Sequence, residues 1–218
     1  MAKGTNNGNG NGGVGTGGSV LATDLDDELN GGNGMDTIFG MAGNDTISGG
    51  NGKDRLNGDD GDDVLSGGNG KDMLSGGTGM DVLNGGIGKD LLTGGLDADT
   101  FVLDSDALKG GSDKITDFTE TVTTTTTTTD PETGETVTTT TTVLGDVLEL
   151  DGILHGFNPL NDLLADFVHL TESGGNTIVS IDANGTVGGA NFKQLVTLED
   201  VTGLDAAELL ASGNILVT

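Results

Sequence analysis

Eight aspartates recur at intervals of nine residues in the first half of this 218-residue chain: Asp36, Asp45, Asp54, Asp63, Asp72, Asp81, Asp90 and Asp99. Each is the sixth residue of a nonapeptide that begins with glycine, and eight such nonapeptides occupy residues 31–102. Carboxylates in so regular an array repel one another unless cations lie between them. Calcium is a hard divalent cation that prefers oxygen ligands, so the spacing predicts calcium coordination.

The eighth position of every nonapeptide is large and apolar: Ile38, Ile47, Leu56, Leu65, Leu74, Leu83, Leu92 and Phe101. One nonapeptide cannot bury a core, whereas stacked copies cover one another. We expect positions 7 to 9 to form short strands with position 8 directed inward. The glycine-rich positions 1 to 4 would form the turns. The predicted fold class is therefore all-β, a parallel β-roll in which two nonapeptides complete one coil.

In such a roll, repeats i and i+2 lie above each other, about 4.8 Å apart. The aspartates then form an odd column of Asp36, Asp54, Asp72 and Asp90, and an even column of Asp45, Asp63, Asp81 and Asp99. Glycine turns would direct carbonyl oxygens into the same columns. Eight repeats contain six i/i+2 pairs, which predicts about six calcium ions in the roll. Trivalent lanthanides would suit the same oxygen cage.

The predicted metal ligands are the eight carboxylates together with glycine carbonyls of the turns: Gly31, Gly32, Gly34, Gly40, Gly43, Gly49, Gly50, Gly52, Gly58, Gly61, Gly67, Gly68, Gly70, Gly76, Gly77 and Gly79. Some repeats depart from glycine, with Met41 and Asp59 at position 2 and Asp97 at position 4. Aspartate tolerates the left-handed conformation better than most residues, so we expect Asp97 to adopt it.

Two shorter features flank this array. Residues 24–30 fit the frame loosely, with Asp27 at position 6 and Leu29 at position 8, and we interpret them as a degenerate first turn that caps the stack. Residues 1–21 are a flexible Gly/Asn-rich linker, which leaves residues 22–102 as the calcium-binding roll.

A cationic ladder accompanies the aspartates, because Lys53, Lys71 and Lys89 all occupy position 5 of odd repeats. These side chains are either solvated charges that moderate the acidic neighbours or a basic stripe that binds a ligand.

Residues 103–218 change in composition and predict a C-terminal β-rich domain with short helices. Residues 111–118 and 145–150 alternate acidic and apolar side chains, as strands continuing the stack would. Asp113, Asp117 and Asp146 are either further calcium ligands or ordinary solvent-facing aspartates.

A threonine tract at residues 121–143 contains one Asp-Pro-x-x-Gly turn and predicts an inserted two-stranded hairpin. It either pairs edge to edge with a partner or is a loosely ordered surface excursion. Later elements are a helix from Asn158 to Phe167, strands at 177–182 and 192–198, a short helix at 205–211 and a terminal strand at 215–218. Residues 182–185 resemble the start of a calcium loop, although a β-turn is the simpler interpretation.

Composition excludes several functions. Eight basic residues against 35 acidic ones give a net charge of −27, which argues against binding to nucleic acid or anionic membranes. The chain has no Cys, so disulfides are excluded, and the lack of Trp and Tyr argues against an aromatic sugar-stacking platform. We find no Sec-type signal and no stretch of transmembrane length.

Catalysis has no support in the sequence. A zinc-protease H-E-x-x-H helix is missing, and the two histidines, His155 and His169, have no accompanying ligand set. We therefore predict that the chain is not an enzyme.

The repeats, followed by FVLDSD, GSDKITDF, GDVLEL, NTIVSIDANG and NILVT, resemble repeats-in-toxin (hemolysin-type) calcium-binding proteins with a C-terminal type I secretion-target domain. The resemblance implies an uncleaved export signal in roughly the last quarter of the chain, with the type I secretion machinery as a partner. It also implies a chain that folds in extracellular calcium, secreted from or on the surface of a Gram-negative bacterium. The threonine insertion departs from this pattern.

Three alternatives remain open: the export and folding tail of a larger surface adhesin, a matrix or surface-layer assembly protein, and a carbohydrate-binding module. The lack of Trp and Tyr counts against the last of these.

Overall fold

The computed structural model describes residues 18–120, 122–129, 136–150, 154, 167–182 and 192–217. The elements in chain order are β1 (Ser19–Leu21), β2 (Glu28–Asn33), β3 (Thr37–Phe39), β4 (Thr46–Gly52), β5 (Arg55–Asp60), β6 (Val64–Gly70), β7 (Met73–Thr78), β8 (Val82–Gly88), β9 (Leu91–Leu96), β10 (Thr100–Val102), β11 (Asp113–Ile115), β12 (Val122–Thr129), β13 (Thr136–Val143), β14 (Val147–Leu150), β15 (Val168–Ser173), β16 (Asn176–Asp182), β17 (Phe192–Leu198), α1 (Ala206–Ser212) and β18 (Ile215–Val217).

Consecutive strands of the repeats alternate between two sheets. The first sheet has the order β1-β3-β5-β7-β9-β11-β17-β16-β15, and the second has the order β18-β14-β10-β8-β6-β4-β2. Neighbours within the repeats are parallel and 18 residues apart, so that Thr37 pairs with Arg55 and Arg55 with Met73. Two nonapeptides thus complete one coil, and the predicted parallel β-roll is confirmed.

The core of the roll is the single apolar residue that each repeat directs inward. All eight position-8 side chains are at most 2% exposed. Position 9 points the other way, since Ser48, Ser66 and Thr93 are only partly buried. The core continues past the repeats through Leu29 at one end and Ile115 and Leu148 at the other. Period-2 alternation therefore predicted the correct inward residue in every repeat.

The turns are shorter than the sequence suggested. Strand β4 spans positions 7 to 9 of one repeat and positions 1 to 4 of the next, and the other long strands cross the repeat boundary similarly. The expectation that positions 1 to 4 form the turn is wrong for positions 1 to 3, because glycine lets neighbouring backbones approach and keep pairing. A Cβ on Gly49 would lie 2.8 Å from the carbonyl oxygen of Gly67.

Left-handed backbone recurs at positions 2 and 4 of the nonapeptides, and three non-glycine residues of the repeats adopt it. Met41 has φ 78°, Asp59 has φ 75° and Asp97, at position 4, has φ 78°. The expectation for Asp97 is confirmed. Met41 holds a conformation that costs an ordinary side chain about 1–3 kcal/mol, so the repeat geometry around it overrides its local preference.

The second half of the chain extends both sheets. Strand β11 joins β9 in the first sheet, and β14 joins β10 in the second, as predicted for residues 111–118 and 145–150. The sheets are therefore continuous across residue 102, and the division into domains at that position stays a prediction. The predicted strands at 177–182 and 192–198, the terminal strand and the short helix are confirmed, and Asp205 caps the helix by accepting N–H bonds from Ala207 and Glu208.

The threonine tract forms the predicted hairpin. Strands β12 and β13 pair antiparallel, with Val122 opposite Val143, in a two-stranded sheet of their own. The turn between them, the predicted helix from Asn158 and residues 183–185 of the predicted β-turn lie outside the described residues.

Two strands were not expected. Strand β15 follows Phe167, where the sequence predicted the end of a helix. Strand β1 occupies the last residues of the predicted linker, so that linker is shorter at its C-terminal end than residues 1–21.

Candidate metal centre

The aspartates of each column form a ladder along the edge of the roll. The backbone N–H of Asp36 donates to Oδ1 of Asp54 at 2.7 Å, one full coil further along the chain. The same bond joins every i/i+2 pair in both columns, with N···O distances of 2.7–2.9 Å. Each column is thus a rigid stack in which one oxygen of each inner carboxylate has a fixed donor.

The second oxygen of seven of the eight repeat carboxylates has no donor. All eight aspartates are at most 3% exposed. No hydrogen-bond partner reaches the buried Oδ2 of seven of them, a set made up of Asp36, Asp45, Asp54, Asp63, Asp72, Asp81 and Asp90. A buried anionic oxygen without a partner is costly, and native proteins supply one, commonly a cation. The periodic orphaned oxygen therefore points to a bound cation in each gap between turns.

Glycine carbonyls face the same gaps. A Cβ built on Gly67 would lie 2.8 Å from Asp72 Oδ2 and 2.6 Å from the carbonyl oxygen of Gly85 in the next turn. Gly31 and Gly49 show the same pairing of a carboxylate with a carbonyl. An alanine side chain would fill this cradle, whereas glycine leaves both oxygens room to approach a shared ion.

Most of the predicted carbonyl ligands point from one turn to the next. At position 1 these are the oxygens of Gly49, Gly58, Gly67 and Gly76; at position 2, Gly32, Gly50, Gly68 and Gly77; at position 4, Gly34, Gly43, Gly52, Gly61 and Gly70. For Gly31, Gly40 and Gly79, the structure shows instead a vacant Cβ position beside oxygens of neighbouring residues.

Side chains alone do not complete a coordination shell. The part of the chain that the structure describes has no group of three or more His, Cys, Asp or Glu side chains placed to hold a metal ion. Calcium accepts backbone carbonyls and carboxylates together, and six to eight oxygens suit it. A gap that offers carboxylates above and below with carbonyls beside them therefore fits calcium better than a nitrogen- or sulfur-seeking metal.

Burial changes the acidity of the columns. It raises the pKa of Asp63 and Asp99 to about 7, and that of Asp45 to about 6. The N–H from the preceding aspartate lowers each of these values, while neighbouring carboxylates in the column raise them further. Without a metal ion, these groups are therefore poised to bind protons near neutral pH.

Both columns continue beyond the repeats. The N–H of Asp27 donates to Asp45 Oδ1 at 2.7 Å, and the N–H of Asp99 donates to Asp146 Oδ1 at 3.0 Å. Asp113 receives the N–H of Asp90. All three added aspartates are buried, so the solvent-facing interpretation is wrong for Asp113 and Asp146.

Asp117 differs, because it is partly buried and accepts the N–H groups of Gly94 and Gly95. The signal that could have placed Asp113 and Asp146 is the pattern Asp-x-Ile or Asp-x-Leu, which they share with the repeats.

The other candidate groups lie elsewhere. Lys53, Lys71 and Lys89 are exposed on successive odd turns, as predicted. His169 is exposed and packs against Phe192 with ring centroids 5.2 Å apart, and His155 lies outside the described residues.

A family model described as the RTX calcium-binding nonapeptide repeat (4 copies) matches residues 22–56, 30–65, 48–82 and 66–101. This segment belongs to the RTX calcium-binding repeats. RTX repeats bind calcium, and the β-roll with its two aspartate columns is the structure that these repeats form here.

The matches begin at residue 22, so they include the degenerate first turn. They end at residue 101, so Asp113 and Asp146 lie beyond the matched RTX repeats.

Comparison with other proteins adds two findings. No curated protein matches the chain. Among solved structures, the chain is similar to the AlgE6R3 subunit of the Azotobacter vinelandii mannuronan C5-epimerase, determined in solution. The identity is 27%, the match covers 89% of this chain and 80% of that one, and the TM-score is 0.29.

Among the described residues, no helix has the length and hydropathy needed to span a membrane.

Proposed function

We propose that this protein is a non-catalytic, secreted calcium-binding protein whose RTX repeats fold around calcium after export by a type I secretion system. The observation that carries the proposal is the buried Oδ2 atom without a donor, repeated once per turn in both columns. Calcium supplies the missing partner for each of these oxygens, so folding and metal loading become one process.

The geometry of the gaps supports one ligand set for each ion. Each ion lies between repeats i and i+2, held by the carboxylates of the two aspartates and by glycine carbonyls at positions 1, 2 and 4. The six gaps within the eight repeats take about six ions. Six calcium ions carry 12 positive charges, which reduces the net charge from −27 to about −15.

The same charge supports folding after export. With 35 acidic and only eight basic residues, the chain repels itself when calcium is scarce, and a repelled chain stays open. Calcium at extracellular concentration then stabilises the folded state by binding it and not the open chain. RTX repeats are typical of secreted proteins, which agrees with this location.

A second candidate is an assembly protein of a matrix or surface layer, and the hairpin favours it. Strands β12 and β13 join neither sheet of the roll, so both of their outer edges are free of the other described strands. Such edges pair readily with another chain. The tail of a larger adhesin is the remaining alternative, and it uses the roll in the same way.

Circular dichroism with light scattering during a calcium titration of chelated protein tests the proposal. We expect a cooperative gain of β signal with compaction in calcium and no such gain in magnesium, which resists shedding its water. A chelated protein that is already folded and unaffected by calcium would overturn it. For export, a type I-competent host should release the full chain and retain a variant without its last quarter.

A further inference from the structure

We propose that calcium also binds in the gap between Asp90 and Asp113, where it joins the last odd repeat to the C-terminal half of the chain. The inference rests on the proposed calcium-dependent folding and adds a site outside the matched repeats. Within the repeats, paired aspartates are 18 residues apart, whereas these two are 23 apart.

The gap keeps the backbone geometry of the repeats despite this longer connection. The N–H of Asp90 donates to Asp113 Oδ1 at 2.9 Å, as the N–H of Asp72 donates to Asp90 Oδ1 at 2.8 Å. The N–H of Lys114 donates to the carbonyl oxygen of Asp90 at 2.9 Å, the counterpart of the bond from Leu91 to Asp72. Asp113 thus takes the place of a fifth aspartate in the odd column.

The gap also contains the orphaned oxygen that marks the other sites. Asp90 is 3% exposed, and its Oδ2 has no hydrogen-bond partner. Asp113 is 1% exposed, so both carboxyl groups of this gap are buried. Two buried carboxylates on successive turns need a proton or a cation to offset their charge, and a divalent cation neutralises both.

The site offers fewer carbonyls than those inside the roll. Inside the roll, the position-1 residue five places before each aspartate is a glycine, such as Gly67 before Asp72, and the residue at that place before Asp113 is Leu108. The carbonyl oxygen of Leu108 accepts a hydrogen bond from Lys193 Nζ, so it is not directed to an ion alone. Calcium affinity falls with the number and charge of protein ligands, so this site is the weakest of the odd column and fills last.

Calcium in this gap stabilises the strands that pair with β11, which come much later in the chain. Asp113 begins β11, which pairs with β17, and β17 pairs with β16. Calcium at Asp90 and Asp113 therefore ties this part of the first sheet to the roll. We expect amide protection in β17 to appear at higher calcium concentration than in β5 and β7.

Asp113→Asn tests the site with little change in shape, because asparagine keeps the oxygen that accepts the Asp90 N–H. Asp200→Asn is the matched control, since Asp200 is exposed and loses the same charge. Native mass spectrometry should count one calcium ion fewer in D113N than in the wild type and in D200N. Hydrogen exchange should show the β17 midpoint raised about tenfold or more in D113N only. Equal ion counts and equal midpoints would overturn the site.

If D113N does not fold, crystals of the wild-type protein grown with terbium test whether a metal ion binds between Asp90 and Asp113. Anomalous density between Asp90 and Asp113 supports the site, and density in the repeat gaps without it there refutes the site alone. A wild-type protein that binds no calcium or terbium anywhere would instead refute the proposed function.

Discussion

The backbone N–H of Thr119 donates to Asp146 Oδ2 at 2.7 Å, and the N–H of Asp146 donates to the carbonyl oxygen of Thr119 at 2.9 Å. These two bonds close the base of the threonine insertion and hold Asp146 at the end of the even column. Bonds outside the hairpin therefore hold strand β14 in the second sheet, together with its pairing to β10 and β18.

Deleting residues 121–143 and bridging the ends with a short glycine linker should leave the calcium midpoint of β-structure formation within about twofold of the wild type. Circular dichroism during a calcium titration measures it, and a large rise would show that the roll depends on the hairpin. If the hairpin mediates assembly, the same deletion should lower the oligomer size seen by light scattering in calcium. Unchanged oligomerisation and surface binding would dispose of that role.

Asp72→Asn should raise the calcium midpoint for folding by about 10–100-fold. Asp72 borders two gaps, because its Oδ1 accepts the N–H of Asp54 and its own N–H donates to Asp90 Oδ1. Its Oδ2 is one of the orphaned oxygens. Calorimetric titration gives the midpoint and the number of ions. Asp200→Asn removes the same charge at an exposed position and should behave as the wild type; an equal loss in both variants would mean that net charge, not the column, controls calcium binding.

Gly68→Ala and Gly32→Ala form a matched pair at position 2 of two repeats. Their φ angles are nearly equal, at 94° and 93°, so both substitutions carry a similar backbone strain of about 1–2 kcal/mol. A Cβ on Gly68 would overlap the carbonyl oxygen of Gly50, whereas Gly32 has no atom within 4 Å of that position. Denaturation in saturating calcium should show G68A losing about 1–3 kcal/mol more than G32A. Equal losses would contradict the close stacking of turns.

Leu65→Ala should destabilise the calcium-loaded protein by about 2–5 kcal/mol. Leu65 is 1% exposed and belongs to the apolar core of the roll, so its truncation leaves a buried cavity. Its neighbour Val64 is 45% exposed, so Val64→Ala should cost about 1 kcal/mol or less. Urea denaturation in excess calcium compares them, and a similar cost at both positions would refute the inward orientation of position 8.

Protonation of the aspartate columns should partly replace calcium in stabilising the fold. Burial raises the pKa of Asp72 and Asp81 to about 6, and that of Asp63 and Asp99 to about 7, above the value of unfolded aspartate. Groups whose pKa is raised on folding stabilise the metal-free fold at low pH, and this contribution is lost as pH rises through the folded pKa. Chelated protein should therefore show more β signal at about pH 5 than at about pH 8.

With calcium present, the effect of pH reverses. Protons and calcium compete for the same oxygens, so the calcium midpoint should rise as pH falls from about 8 to about 5. Titrations at several pH values measure this. A midpoint that does not change with pH would show that these carboxylates are not the ligands.

Periodicity made the roll predictable, because an invariant aspartate and an invariant apolar position fix both the face and the register of each strand. Position 8 is buried in every repeat for this reason. The turns were misjudged because a glycine-rich segment suggests a loop, while the same glycines let backbones stack closely enough to stay paired. That close approach depends on the neighbouring turn, which local composition does not show.

The aspartates outside the repeats were harder to place. Asp113 and Asp146 share a local pattern with the repeats, but their spacing of 23 and 47 residues from their column partners breaks the period. Only the fold shows that the residues between Asp90 and Asp113, and between Asp99 and Asp146, leave the roll and that the chain then returns to the next position in each column. The sequence of strand β15 carries no comparable pattern, and the strand is defined by its antiparallel pairing with β16.

Every rung of the two aspartate columns runs in the same direction. An earlier turn gives its N–H, and the turn that follows it in the chain provides the carboxylate, as from Asp54 to Asp72. If the C-terminal turns fold first, each turn added before them finds a carboxylate that accepts its aspartate N–H. If the N-terminal turns fold first, the aspartate N–H of the last added turn has no acceptor. The two ends of the roll are therefore not equivalent. Asp113 and Asp146 lie at the C-terminal end, which is the end that favours the addition of turns during folding.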